Sequence, residues 1–330
     1  MTAMGKDTVY ASVDLGGTKV ACAFGTADGE IRARRSVATE SHRGPAGVLE
    51  RIAGLVNGLA AESGLRPAAV GMGVPGLADI RRGVTRFLPN LPTQWRDVPV
   101  SATLAPRVGC PVHILNDVRM ATLGELTGRA RASGGRGRGT LAFFALGTGI
   151  GGGVAIDGRL RLGPLGAAGE LGHQTIVPDG PRCGCGNRGC LETLASGPAI
   201  AAKGVWLLLS GRAPQLYEIV AGDAGRVTPR EMALAAEAGD DAVREELVRA
   251  AGYLGIAVAN VIVVLHPDLV VLGGGVAAIG PLLFDTVRAT VRERVHMFPP
   301  DDVRIEPSLL GDHAGTLGGI VLASMGGLTD

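Results

Sequence analysis

Apolar positions along the chain alternate between a two-residue and a three-to-four-residue period, and the alternation predicts its elements. "TVYASVDLGG" is apolar and rich in β-branched residues, and "TKVACAFGTADGEI" continues as a second strand closed by the turn pair Asp28-Gly29, so the chain opens on a β-hairpin. From Gly47 to Ala61 the apolar residues take helical spacing, and "AAVGMGVPG" returns to a strand that stops at a Gly/Pro break. "CPVHILND" is a further strand with a polar end, after which "VRMATLGEL" is helical. The intervening "RFLPNLPTQWRDVPV", rich in proline and holding one of only two tryptophans, reads as an irregular loop near a cleft. Beyond the glycine-rich linker "ASGGRGRGT", the run "LAFFALGTGIGGGVAI" is strand, turn and strand, closed by Asp157-Gly158 as a second hairpin. A long helix, "DDAVREELVRAAGYLGIAVANVIVVLHP", stops at Pro267 and should cross the core of the second lobe. A buried strand, "DLVVLGGGV", an amphipathic helix, "GPLLFDTVRATVRERV", and a closing helix, "DHAGTLGGIVLASM", complete an α/β chain. Glycine-rich turns at strand ends recur three times, at 16–17, 147–153 and 273–275.

Composition narrows this picture. At 330 residues the chain exceeds a typical single core, which suggests two lobes of unequal size or one large α/β domain. A formal net charge of +1 removes any broad basic field and with it a protein whose main work is neutralising phosphate backbone. Arg136 and Arg138 in "SGGRGRG" read as a solvated loop. No run of 18 or more apolar residues is present to span a bilayer, and "MTAMGKDTVYASVDLGG" lacks the pattern of a secretory signal. A cytoplasmic protein without a membrane partner is expected. Cys22 and Cys110 read as small buried hydrophobes. His173, Cys183, Cys185 and Cys190 fall within "GHQTIVPDGPRCGCGNRGC", and in a reducing compartment such thiols are metal ligands before they are disulfides. A nucleic-acid finger and a folded clip beside an active site both satisfy that spacing.

Two glycine turns bear on chemistry. In "DLGGTK", Asp14 to Lys19, the glycines permit positive φ and close approach of backbone N–H groups to anionic oxygens, so Asp14, Gly16, Gly17, Thr18 and Lys19 are candidate phosphate-side residues. A plain tight β-turn fits as well, and the Walker A spacing is absent. "LGTGIGGG" formally contains G-x-G-x-x-G at Gly147, Gly149 and Gly152, but strand and turn follow where a dinucleotide fold needs a helix. What remains is a second phosphate-cradling turn with Thr148 and Gly149, and a third break at Gly274 and Gly275 to lie against a base or ribose. Together they suggest a nucleoside triphosphate.

"DLGGTK", "LGTGIGGG", "ELGH" and "CGCGNRGCLE", in this order, resemble the ROK (repressor, open reading frame, kinase) family along essentially the whole chain. The resemblance implies a two-lobed actin-like, ribonuclease H-like sugar kinase fold with an interlobe cleft. A smaller lobe would comprise residues 1–117, completed by 312–330, and a larger lobe 118–311. It also implies an ATP-dependent hexose kinase acting on the 6-hydroxyl of glucose, with other hexoses (N-acetylmannosamine, N-acetylglucosamine or fructose) as alternatives and a sugar-responsive repressor as a remote one.

The family's base matches Asp117 in "ILND", with Asn116 orienting the same sugar, although an Asn-Asp pair at a strand end is also a common helix N-cap. Glu170 and His173 in "ELGH" and Glu192 in "CLE" match its sugar ligands. Gly76 and Asn90 lie where it makes further sugar contacts, though the Asn-Leu-x-Trp spacing after Asn90 is lengthened here by Pro-Thr-Gln. Asp14 would help hold Mg²⁺ on the ATP phosphates. One imidazole and three thiolates make a closed tetrahedral zinc set, hence a structural zinc whose histidine could present its second ring nitrogen to the sugar. The tight knuckle leaves no room for a base-reading helix, so no nucleic-acid partner is expected. Homodimers are common among such relatives.

Overall fold

The computed structural model describes residues 7–134, 139–164 and 166–328; Arg136 and Arg138 lie outside the described residues. The chain divides into two compact units, one made of Met1–Arg138, Arg159–Ala168 and Leu309–Asp330, the other of Gly139–Gly158 and Gly169–Ser308.

The first unit is built on β1 (Val9–Leu15), β2 (Lys19–Thr26), β3 (Ile31–Ala38), β4 (Val70–Val74) and a later strand, with the short hairpin strands β5 (Leu77–Asp79) and β6 (Val84–Phe87) between. The later strand is β7 (Val112–Asn116), and the sheet order is β3-β2-β1-β4-β7. The opening hairpin forms as expected, with Gly29 at φ 95° in its second turn. Strand β3 was not legible as a strand: "IRARRSVA" is exposed or half-exposed throughout, so an edge strand with no fully buried residue leaves no hydrophobic period. Strands β1, β4 and β7 run parallel, which brings Asp14, Gly73 and the end of β7 to the same edge of the sheet. Cys22 is buried as expected, while Cys110, just past the helix Val100–Val108, is only half-buried.

The helix Asp117–Ala132 packs in this unit against the C-terminal helix Ala314–Ser324. Glycines make the approach possible. A Cβ on Gly318 would stand 1.7 Å from the Met120 carbonyl oxygen, and one on Gly124 would stand 2.0 Å from that of Ala314. The contacts therefore carry this helix with the first unit, beyond a boundary drawn at 117. The stretch expected to be wholly irregular holds the end of β6 and a turn at Pro92–Trp95 in which Thr93, Gln94 and Trp95 all take positive φ, with the Trp95 side chain buried as its anchor.

In the second unit β8 (Leu141–Leu146) and β9 (Ile150–Ile156) form the second hairpin, turning through Asp157 at φ 53° and Gly158 at φ 74° toward a two-residue strand, β10 (Arg159–Leu160). Strands β11 (Leu269–Gly273) and β12 (Arg304–Pro307) run parallel beside β8. The long helix Asp241–Leu265 ends on His266, left-handed at φ 42°, immediately before Pro267. It contains an 18-residue window of mean hydropathy 1.9, long and apolar enough by itself to cross a membrane. Here Leu247, Ala251, Leu254, Val258 and Ile262 of that helix are buried in the unit's own core.

Candidate functional site

The candidate residues fall in both units. In the first, Asp14 is the penultimate residue of β1, and Asn116 and Asp117 straddle the junction between β7 and the following helix. Asn116, not Asp117, is the helix cap: its Oδ1 accepts from the N–H groups of Val118 and Arg119, both at 3.1 Å, and its Nδ2 donates to the Gly76 carbonyl at 3.1 Å. This leaves Asp117 as the first helical residue, its Oδ1 accepting from Val118 N–H at 2.8 Å. Between the two acids lies Gly73 on β4, where a Cβ would stand 3.3 Å from Asp117 Cα; sequence reasoning missed it.

Burial pushes the Asp117 carboxyl up to about 6, with the charge of Asp14 adding to the rise and the Val118 N–H and Arg119 opposing it. The carboxyl of Asp14 is also raised by desolvation, against the pull of Lys19.

The turn after Asp14 closes by Gly16 N–H donating to the Lys19 carbonyl at 2.9 Å, and Thr39 Oγ1 donates to the Gly16 carbonyl at 2.7 Å. Neither Gly16 nor Gly17 has positive φ, so the expectation is corrected: glycine serves here for close approach, since a Cβ on Gly16 would stand 2.9 Å from the Lys19 oxygen. Thr18 and Lys19 are exposed. Asn90 is exposed too, its carbonyl 3.5 Å from where a Gly17 Cβ would be, so the loop expected on the sugar side lies against this turn. Gly76 sits at φ 149° with its Cβ position 2.2 Å from the Phe87 carbonyl, a place only glycine can fill.

In the second unit the turn between β8 and β9 closes by Gly147 N–H to the Gly149 carbonyl at 2.9 Å, and the Gly147 carbonyl accepts from Gly197 N–H at 2.8 Å. Thr148 stands exposed at its tip. Glu192, at the start of the short helix Glu192–Ala195, accepts from Ile150 N–H at 2.9 Å, and a Cβ on Gly149 would come within 2.4 Å of its Oε2. Gly274, at φ 88°, packs onto the end of β8, its Cβ position 2.4 Å from the Leu146 carbonyl; Gly275 begins a short turn of helix with open space beside it. Gly152 and Gly172 let the segment bearing Glu170 and His173 lie directly on β9, a Cβ on Gly172 falling 1.7 Å from the Ile150 carbonyl.

His173, Cys183, Cys185 and Cys190 offer ligand atoms that all lie within 4.8 Å of one another. His173 Nδ1 faces the Cys183 sulfur at 3.6 Å, and the Cys185 and Cys190 sulfurs are 3.7 Å apart. The knuckle is tied by Cys183 N–H to the Asn187 carbonyl at 2.8 Å and by an isolated bridge between Thr175 and Cys190. Burial raises the Cys183 thiol and pushes that of Cys190 up to about 12, whereas a backbone donor from Asn187 lowers Cys185. Three thiolates in this volume would need a cation, and one imidazole with three sulfurs is a closed donor set suited to zinc. With Nδ1 turned to the sulfurs, Nε2 faces Glu170 Oε2 at 3.8 Å.

The match to a family model described as the ROK family runs over residues 10–325. The chain belongs to the ROK family. A glucokinase of Thermotoga maritima is 36% identical over 313 residues, 93% of this chain and 94% of that protein. A glucokinase of Streptomyces coelicolor is 33% identical over 94% of this chain and 96% of its own length. Among solved structures, a ROK family glucokinase from Streptomyces griseus in complex with glucose and AMPPNP superposes with a TM-score of 0.80 at 32% identity, covering 96% of this chain and 99% of that one. The fold is thus the two-lobed α/β fold of the ROK sugar kinases. The "CGCGNRGC" knuckle of this ROK chain brings three sulfurs into a compact cluster with His173 and carries no helix between its cysteines.

Proposed function

We propose that this chain is an ATP-dependent glucokinase, transferring the γ-phosphoryl group of Mg-ATP to the 6-hydroxyl of glucose with Asp117 as general base. The observation that carries the reading is the Asp117 carboxyl at the head of its helix, its pKa lifted to about 6. A carboxyl in that range is ionised at neutral pH yet basic enough to accept the hydroxyl proton as the oxygen attacks phosphorus and the bond to ADP breaks. Asp14 would hold Mg²⁺ on the phosphates, and the turns at Gly16-Gly17, Thr148-Gly149 and Gly274-Gly275 would receive the nucleotide.

Glu170, His173 through Nε2, and Glu192 suit vicinal sugar hydroxyls, since carboxylates accept and an imidazole can donate or accept. Because Asn116 Oδ1 is engaged in the cap and one Nδ2 hydrogen goes to Gly76, its help to the sugar would come through the second N–H of Nδ2. Zinc held by His173, Cys183, Cys185 and Cys190 would fix the His173 ring and leave no open position for water. On this reading the enzyme works in the cytoplasm as a homodimer on glucose and Mg-ATP, without nucleic acid or membrane.

The test is ADP release across a panel of hexoses with ATP and with polyphosphate as donors. Glucose with ATP should give the highest kcat/KM; a preference for N-acetylmannosamine, N-acetylglucosamine or fructose would replace glucose as the substrate. No sugar-dependent ADP release at all would remove the kinase reading.

A further inference from the structure

The helix Asp117–Ala132 carries two charged side chains that the proposed reaction does not use and that lie inside the protein, Arg119 at 2% and Glu125 at 0% exposure. Removing a charge from water costs several kcal/mol unless well-placed partners offset it. The partners here are specific. Arg119 Nε donates to the Ala168 carbonyl at 3.0 Å. Glu125 accepts from the backbone N–H groups of Leu309 at 3.2 Å and Leu310 at 3.0 Å, and from Arg129 Nε at 3.1 Å.

These partners mark where the chain changes units. Ala168 is the last residue of the first unit before the chain enters the second at Gly169, and Leu309 is the first residue after it returns from Ser308. Gly169 takes φ 91°, a conformation open to glycine. Glu170 follows at once, and His173 three residues later. The same helix is locked to the C-terminal helix through Gly124 and Gly318, so the Arg119 and Glu125 contacts belong to a stiff block headed by Asp117.

We infer that Arg119 and Glu125 are positioning residues, anchoring the chain crossings at 168/169 and 308/309 to the helix headed by Asp117, so that rearrangement on sugar binding turns about fixed points and leaves the base aligned. The inference rests on the kinase reading. It assigns these two side chains no contact with substrate. Arg119 also sits close enough to lower the Asp117 carboxyl, in line with a shared block.

The test uses Glu125→Gln and Arg119→Lys in the full chain, with ADP and sugar phosphate counted separately. Wild type should form them in equal amounts. Both variants should lose about tenfold in kcat for sugar phosphorylation, a typical size for residues that gate alignment from outside the chemistry, and should release ADP in excess as water competes for the phosphoryl group. In Arg119→Lys, which keeps the charge, the acid limb of the pH profile should stay where it is.

A lower Tm with unchanged kcat and unchanged ADP to sugar phosphate ratio per folded enzyme would overturn the inference. Should neither variant fold, hydrogen exchange on wild type decides: the amides of Leu309 and Leu310 should stay protected with and without glucose while 169–173 change, and loosening of 309–310 on glucose binding would overturn it. Wild type that phosphorylates no hexose overturns the kinase reading itself, a result separate from all of these.

Discussion

At the end of the first unit's sheet, Asp14 and Asp117 are held by parallel strand pairing and by the cap that Asn116 places on the next helix. In the second unit His173, Cys183, Cys185 and Cys190 are gathered by a loop held by isolated bridges and turn hydrogen bonds. Both regions crowd groups that resist ionising together. At the acidic end the sheet is rigid enough to hold two carboxylates near each other with one raised to about 6, which is useful to a base. In the thiol loop turns and bridges, not a sheet or a long helix, bring the ligands together, and a bound cation would have to offset the charge of three thiolates. The first arrangement should therefore tolerate loss of one charged partner without moving, whereas the second should come apart.

Asp117→Asn tests the acidic end most severely. It should lower kcat by about 10²–10⁴-fold, the usual worth of a positioned base, while glucose affinity measured by calorimetry stays nearly unchanged. Near-normal turnover would remove Asp117 from that role.

Next in size is Cys190→Ser in the loop. Zinc retention, read by elemental mass spectrometry, should fall by more than about 100-fold, beyond what loss of a merely supporting hydrogen bond costs. Glucose KM should rise with it and ATP KM should not. Full activity in metal-free wild type would refute the clip.

The smallest effect is a shift along the pH axis. Asp117 must be ionised to act, so kcat should decline as pH drops through about 6. The negative charge of Asp14 helps raise that value, so in Asp14→Asn the carboxylate is favoured and the residual activity should hold to lower pH. An acid limb that moves to higher pH would show that the two carboxylates do not interact in this way.

Much of the fold was legible because it is local. Both hairpins announced themselves by a glycine turn between their strands and an Asp-Gly pair closing the second strand, the helix from Asp241 by its apolar period and by Pro267, and the thiol knuckle by its spacing. Strand β3 was not, because "IRARRSVA" has no fully buried residue and only Ala33 and Val37 touch the core. The candidate chemistry was legible as residue types, less so as roles. "ILND" pointed to Asn116 and Asp117 but could not say which of them caps the helix. Arg119 and Glu125 look in sequence like ordinary helix-surface charges, and only their burial against Ala168, Leu309 and Leu310 distinguishes them.

From sequence came the two hairpins, the long helix from Asp241, the strand-end glycines, the ROK resemblance and the His/Cys set, because periodicity and ligand spacing act over a few residues. The three-dimensional packing shows that Gly16 is needed for close approach and not for its φ, that the helix after Asp117 packs with the C-terminal helix, and that burial pushes the Asp117 carboxyl up to about 6. Each of those depends on how closely atoms far apart in the chain approach, and on how much water that approach excludes.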